Sequence, residues 1–172
     1  MCRIPQPHLH SIVSYTTRPP REGEIDGENY FFISADEFAN LIFDDKMLEA
    51  TTFREWCYGT GYDSLDVNKV NIGVFNPDGV ELLSHLDEIE LYVYWIKTHP
   101  KERLLRSLTR ELNPDIDEII RRYLADEEAF AVIGNDIHIV ELKNDTEDDL
   151  KIAVRFIQHQ AKLMAEGAFG QF

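Results

Sequence analysis

The chain has 172 residues, of which 44% are hydrophobic and 28% charged, so it has enough apolar sequence for a folded core. Seventeen Lys and Arg against 32 Asp and Glu give a net charge of −15, which argues against a general nucleic-acid binder. No apolar run approaches a membrane span, the start lacks a signal-peptide core, and two cysteines cannot form a disulfide framework. We therefore expect one acidic, cytoplasmic domain over 1–172 with no nucleic-acid or membrane partner.

The first half of the chain predicts mainly strands. Strand-like segments occupy 11–15, 30–33 and two stretches within 47–60. Ser34 and Glu37 have the spacing of a capping box, in which each side chain satisfies a helix-end N–H, so a helix is predicted over about 35–45. The strand-rich stretch 22–60 is expected to form a small inserted antiparallel lobe.

The second half alternates between strands and helices. Strands are predicted at 70–75, 91–96 and 137–142, with apolar residues at helical spacing after each. Asn113 and Pro114 suggest a cap with proline at the first helical position, and the last helix is expected to begin near Thr146. This alternation predicts an α/β fold with a parallel sheet and flanking helices.

The segment S-Y-T-T-R-P-P-R at 14–21 is the first candidate site. It carries Arg18 and Arg21 three residues apart on a chain that its prolines keep extended. Two guanidinium groups beside hydroxyls suit an oxyanion such as phosphate, and each charge-assisted hydrogen bond contributes about 1.5–3 kcal/mol. From the pattern alone, a solvated basic turn is an equally good interpretation.

A longer motif favours the phosphate site. The run S-Y-T-T-R-P-P-R-E-G-E-I-D-G-E-N-Y-F-F-I resembles the guanylate kinase pattern S-x-T-T-R-x-P-R-x-G-E-x-x-G-x-x-Y-x-F, and the spacing from Glu49 to Tyr58-Gly59-Thr60 is also similar. The resemblance implies a P-loop-kinase-like parallel sheet, a nucleoside-monophosphate-binding lobe at 22–60 and a lid at 100–130. It also implies transfer of a phosphoryl group from ATP to GMP with Mg²⁺, within purine nucleotide metabolism.

The resemblance further implies a substrate site. The side chains that would hold the phosphate of GMP are Ser14, Arg18, Arg21, Tyr30 and Tyr58. Glu49 would accept from the guanine N1–H and amino group, Thr60 would touch the base from the other side, and Asn76 would hydrogen-bond the nucleotide. Ordinary packing of the lobe is the alternative interpretation of the two tyrosines.

The lid arginines are the implied catalytic residues. Arg110, Arg121 and Arg122 resemble the family's arginines that neutralise the transferring phosphoryl group. Glu111 stands where a glycine usually follows the first of them. The alternative is a solvated helix face that pairs with Asp117 and Glu118.

The sequence also departs from the family pattern. No G-x-x-x-x-G-K-[ST] occurs in the 172 residues, so the first strand and P-loop are expected to be missing, either through a start-site error or through real loss. Phosphoryl transfer by this chain alone is then expected to be poor, with ATP and Mg²⁺ binding in doubt. A missing central strand would leave sheet edges open to a homodimer. The histidines show no zinc-ligand spacing, and no metal site is predicted.

Two substitutions affect the expected ligand. Ala50 replaces the family's tryptophan and opens the base pocket, and Asn76 stands where aspartate is common, which supplies no negative charge toward a metal. Both favour a different or broader acceptor, such as a deoxynucleoside monophosphate. Two alternatives to a kinase stay open at this stage: a non-catalytic module that binds phosphorylated ligands, and a decayed remnant without a ligand.

Overall fold

The chain folds into two compact units. The computed structural model describes residues 7–53, 55–110, 112–131 and 137–167. One unit comprises residues 1–86 and 160–172, and the other comprises 87–159. Within the described ranges, none of the helices combines the length and the apolar character needed to cross a bilayer.

Residues 7–86 of the first unit, as far as the structure describes them, contain two sheets and two α-helices. Its elements are β1 (Leu9–Ser11), β2 (Tyr15–Thr16), β3 (Phe31–Phe32), α1 (Ala35–Phe43), β4 (Met47–Phe53), β5 (Trp56–Gly61), β6 (Val70–Ile72) and α2 (Pro77–Ser84). Strands β1 and β6 pair in parallel, and the other four form a sheet in the order β3-β2-β5-β4. In that sheet only the β2–β3 pair, among the described strands, is parallel. The single strand predicted over 11–15 is therefore wrong, since the chain leaves β1 at Ser11 and enters the second sheet at Tyr15.

Helix α1 begins where the sequence predicts. The Ser34 hydroxyl accepts from the Glu37 amide, and the Glu37 carboxylate accepts from the Ser34 amide at 2.8 Å, which completes the capping box. The buried ring of Phe38 anchors the helix against β5. Gly59 makes room for it, because a Cβ there would lie 3.1 Å from Phe38 Cζ and 2.4 Å from Met47 Cε.

The second unit carries its own parallel pair. Its elements are β7 (Val93–Lys97), α3 (Pro100–Arg110), α4 (Ile116–Ala131), β8 (Ile139–Lys143) and the start of α5 (Glu147–Ala165). Strands β7 and β8 pair in register from Val93 with Ile139 to Lys97 with Lys143. The parallel pairs β1–β6 and β7–β8, each with at least one helix between its two strands along the chain, give the mixed α/β character that the alternating pattern predicts.

The start of α4 differs from the prediction. Asp115 is the cap: its carboxylate accepts from the Glu118 amide at 3.0 Å, and its carbonyl accepts from Ile119. The helix therefore begins two residues after Pro114 rather than at it, because the carboxylate of Asp115 lies where it can satisfy the first amides. The predicted start of α5 is confirmed, as Thr146 and Asp149 exchange capping hydrogen bonds.

The capping box should have a measurable effect on stability. Ser34→Ala removes the acceptor for the Glu37 amide, and we expect the free energy of unfolding to fall by about 1 kcal/mol. Chemical denaturation monitored by circular dichroism measures this. Ser11→Ala, at an exposed position in β1, is the control and should change stability by less than about 0.5 kcal/mol. Equal effects of the two substitutions would contradict the role of the cap.

Candidate functional site

The candidate site is built from the four-stranded sheet of the first unit. Arg18 lies two residues after the end of β2, and only 8% of its surface is exposed. Its guanidinium carbon lies 5.6 Å from the ring centroids of both Tyr30 and Phe32, which flank and form β3. The ring of Tyr58, from β5, meets Tyr30 edge-on at 6.1 Å. Three neighbouring strands therefore bring three of the predicted phosphate-binding residues into one cluster.

Arg18 is held by an ion pair with Glu24. Its Nη1 donates to Glu24 Oε2 and its Nη2 to Glu24 Oε1, both at 3.0 Å, and Nη1 also donates to the carbonyl of Pro19 at 2.7 Å. Burial acts to lower the pKa of Arg18, but the hydrogen bonds and charge of Glu24 outweigh it and raise that pKa. In return, the hydrogen bonds from Arg18 hold the pKa of Glu24 below its ordinary value.

The tyrosines complete the cationic end of the site. Tyr58 lies close enough to Arg18 to contribute to the raised pKa of its guanidinium. Burial raises the pKa of Tyr30, so its hydroxyl stays protonated and can donate to an anion. Arg21 lies on the exposed turn that follows, three residues before Glu24. This end of the site offers guanidinium and phenol donors to an oxyanion.

A buried carboxylate forms a second part of the site. Glu49, on β4, is 7% exposed and lies opposite Thr60 of β5 in the strand register. Burial raises the pKa of Glu49, and hydrogen bonds from the Thr60 hydroxyl and amide offset this only partly. Thr60 in turn contacts Ser14, with 3.2 Å between their hydroxyl oxygens. Ser14, Glu49 and Thr60 therefore form a connected polar group.

Asn76 closes the site at the start of α2. Its Oδ1 accepts from the Gly79 amide at 2.8 Å, and its Nδ2 donates to Thr51 Oγ1 at 3.2 Å. A Cβ on Gly79 would lie 3.0 Å from Asn76 Oδ1 and 3.4 Å from Glu49 Oε2, so the helix end passes close to the carboxylate. The predicted contact of Asn76 with a nucleotide stays a prediction, and in this structure the side chain caps α2.

Two open clefts border this region. The first has a volume of about 380 Å³, and Ala50, Thr51, Thr52, Asp78, Glu81, Leu82 and His85 line it. The second has a volume of about 410 Å³, and both Glu49 and Ala50 contribute to its wall. The small side chain of Ala50 thus borders both clefts, next to the buried carboxylate of Glu49.

The predicted lid arginines lie in the second unit. Arg110 is in the last turn of α3, and Arg121 and Arg122 are on α4. Both α4 arginines pair with Glu118: Arg121 Nε donates to its Oε2 at 2.8 Å, and Arg122 Nε to its Oε1 at 2.6 Å. Glu118 is one of the two carboxylates that the alternative interpretation names, and a catalytic role for the three arginines stays a prediction.

Glu24 is the residue of this cluster that the sequence interpretation missed. It is part of the R-x-G-E segment of the motif, so the sequence places it near both arginines without identifying its partner. A carboxylate three residues after one arginine and six after another could have suggested the ion pair. The ion pair itself depends on the turn that brings Glu24 back to Arg18.

The chain is similar to known guanylate kinases. A family model described as guanylate kinase matches residues 3–160. Guanylate kinase of Geobacter sulfurreducens is 35% identical over 131 residues, which cover 67% of this chain and 58% of that protein. Guanylate kinase of Nostoc sp. is 32% identical over 161 residues, which cover 88% of this chain and 75% of that protein. The chain thus matches little more than half the length of the Geobacter relatives.

A solved structure gives the same result for the fold. The crystal structure of guanylate kinase from Anaplasma phagocytophilum matches with a TM-score of 0.65 and 18% identity, covering 95% of this chain and 78% of that one. This similarity confirms the predicted α/β fold.

The raised pKa of Glu49 predicts a pH-dependent cost of folding. Because its folded-state pKa lies above the unfolded one, the contribution of Glu49 to stability is present at low pH and is lost as pH rises through the folded-state pKa. Glu49→Gln keeps an acceptor for Thr60 without the charge. The stability of Glu49→Gln relative to wild type should therefore increase from about pH 4 to about pH 8.

Urea denaturation across this pH range measures the difference. Glu55→Gln, at an exposed position beyond β4, is the control and should show a pH-independent difference. A flat profile for Glu49→Gln would mean that Glu49 ionises as easily in the folded chain as in the unfolded one.

Proposed function

The chain belongs to the guanylate kinase family, and we propose that its first unit binds GMP or a related deoxynucleoside monophosphate. The observation that carries the proposal is the presence of two unlike groups at one sheet: the buried Arg18, two residues after β2, and the buried carboxylate of Glu49 on β4. The first suits a phosphate and the second suits the donor edge of guanine.

In the proposed complex the nucleotide phosphate binds Arg18 and Arg21, with hydrogen bonds from Tyr30 and Tyr58. Charge-assisted bonds of this kind are short and geometrically specific. A phosphate dianion also provides the negative charge that two neighbouring guanidinium groups favour. Ser14 would add a hydroxyl donor from the segment before β2.

Base recognition is assigned to Glu49 and Thr60. Guanine presents N1–H and its amino group as adjacent donors, and a carboxylate has two oxygens to accept from both. The raised pKa of Glu49 favours a ligand of this type, because two donated hydrogen bonds stabilise the ionised form in a buried position. Thr60 would hold the carboxylate in place through its hydrogen bonds, and Ser14 would in turn hold the hydroxyl of Thr60.

For the reaction, the family uses ATP and Mg²⁺ to convert GMP to GDP. The residues present do not fit a site for ATP, the phosphoryl donor, and Mg²⁺. The 172 residues contain no G-K-S or G-K-T, and Asn76 stands where a carboxylate is common. In the described ranges no group of three His, Cys, Asp or Glu side chains is placed to hold a metal ion. We therefore propose nucleotide binding with little turnover by this polypeptide alone, and the lid arginines enter no step.

Calorimetry with the 172-residue chain tests the proposal. We expect GMP and dGMP to bind, AMP to bind at least about tenfold more weakly, and ATP–Mg²⁺ to give no heat of binding. Tight binding of ATP–Mg²⁺ would contradict the proposed lack of a donor site. Binding of a phosphoserine peptide without GMP binding would favour a phospholigand module instead.

The role of Glu49 can be tested separately. Glu49→Gln replaces one acceptor oxygen by an NH₂ group that faces the donors of guanine, so GMP affinity should fall at least about tenfold. AMP should bind no more weakly than to wild type, because adenine N1 can accept from the new NH₂ group. Fluorescence-based competition against both nucleotides measures this preference. Glu55→Gln serves again as the charge-matched control, and an unchanged preference in Glu49→Gln would place base recognition elsewhere.

A further inference from the structure

We propose that Glu24 is a positioning residue for the nucleotide phosphate, because it fixes both arginines of the site through one carboxylate. This inference rests on the proposed function and concerns the same site. Glu24 itself is not proposed to touch the ligand; its effect is on the direction in which Arg18 presents its remaining donors and on the place of Arg21 in the loop.

The hydrogen bonds of Arg18 define which donors remain. Glu24 Oε1 accepts a hydrogen bond from Nη2, and Glu24 Oε2 accepts one from Nη1. The carbonyl of Pro19 accepts from the second hydrogen of Nη1. The Nε–H and the second hydrogen of Nη2 lie along the other edge of the planar group. Such an edge offers two parallel donors, which match two oxygens of a phosphate. Glu24 thus directs one specific edge of Arg18 away from itself.

The same carboxylate organises the turn that carries Arg21. Glu24 Oε2 accepts from the Arg21 amide at 2.7 Å, and the Glu24 amide donates to the Arg21 carbonyl at 3.1 Å. Gly23 has φ of +82°, a backbone conformation that glycine adopts without strain, and it returns the chain so that Glu24 faces Arg18. The relative placement of the two arginines therefore depends on Glu24.

Burial explains why Arg18 would move without its partner. Its side chain is 9% exposed and that of Glu24 is 18% exposed, and aromatic rings cover the guanidinium. A guanidinium in such surroundings needs a counter-charge, and a long arginine side chain that loses it can turn toward water. Removal of Glu24 should therefore move the N–H donors of Arg18 away from the nucleotide phosphate. Phosphate binding should weaken even though the loss of a negative charge by itself would favour an anion.

The experiment compares GMP with guanosine in Glu24→Gln and wild type by calorimetry. GMP affinity should fall at least about tenfold, and guanosine affinity should stay within about twofold, because guanosine lacks the phosphate. Glu22→Gln is the matched control: it removes the same charge from an exposed position of the same turn. Loss of negative charge alone strengthens the binding of an anion, so weaker GMP binding confined to Glu24→Gln identifies positioning.

Four outcomes would overturn the inference. GMP binding at or above wild-type affinity in Glu24→Gln would make Glu24 a competitor of the phosphate. An equal loss of GMP and guanosine affinity would make its role structural. Failure of wild type to bind GMP would contradict the proposed function itself, which separates the two tests. Glu24→Asp keeps the charge but shortens the side chain by one methylene, and it should give a smaller loss specific to GMP; unchanged GMP affinity in it would also contradict the inference.

Discussion

The ion pair between Arg18 and Glu24 is the interaction on which the geometry of the candidate site depends. Both side chains are largely buried in the lobe, and removing one partner of a buried pair costs about 3–5 kcal/mol. The pair also fixes the loop between β2 and β3, since the carboxylate binds the amide of Arg21. One contact therefore sets the direction of one guanidinium, the position of another and the path of the chain between them.

The pKa of Glu49 is shifted in the opposite direction from that of Glu24. Hydrogen bonds from Arg18 keep the pKa of Glu24 low, whereas burial raises the pKa of Glu49 despite its hydrogen bonds from Thr60. An ionised carboxylate in this position costs stability until further donors reach it. The site thus contains one carboxylate, in the loop between β2 and β3, that the protein itself pairs, and one, on β4, whose ionised form further donors would stabilise.

Sequence reasoning succeeded where the structure depends on neighbours along the chain. The reciprocal cap of Ser34 and Glu37 and the pairing of the α4 arginines with Glu118 follow from spacing of three or four residues. It failed at the start of α4, because Asn113 and Asp115, two residues apart, both suit a cap and it is the carboxylate of Asp115 that accepts from the Glu118 amide. It also failed to assign Glu24, because that contact depends on a turn and on burial, neither of which residue order alone fixes.

The contrast between the two carboxylates also limits the kind of ligand that suits the site. Inorganic phosphate or a phosphopeptide would bind the arginines but would bring no hydrogen-bond donors to the buried carboxylate of Glu49. Adenine presents an acceptor at N1 next to its amino group, and that acceptor would face a carboxylate oxygen. Guanine presents two donors there, and these would offset the cost of burying the ionised carboxylate of Glu49. The phosphate of the same nucleotide would pair with the guanidinium groups. This match at both ends favours GMP-type ligands over other phosphorylated molecules.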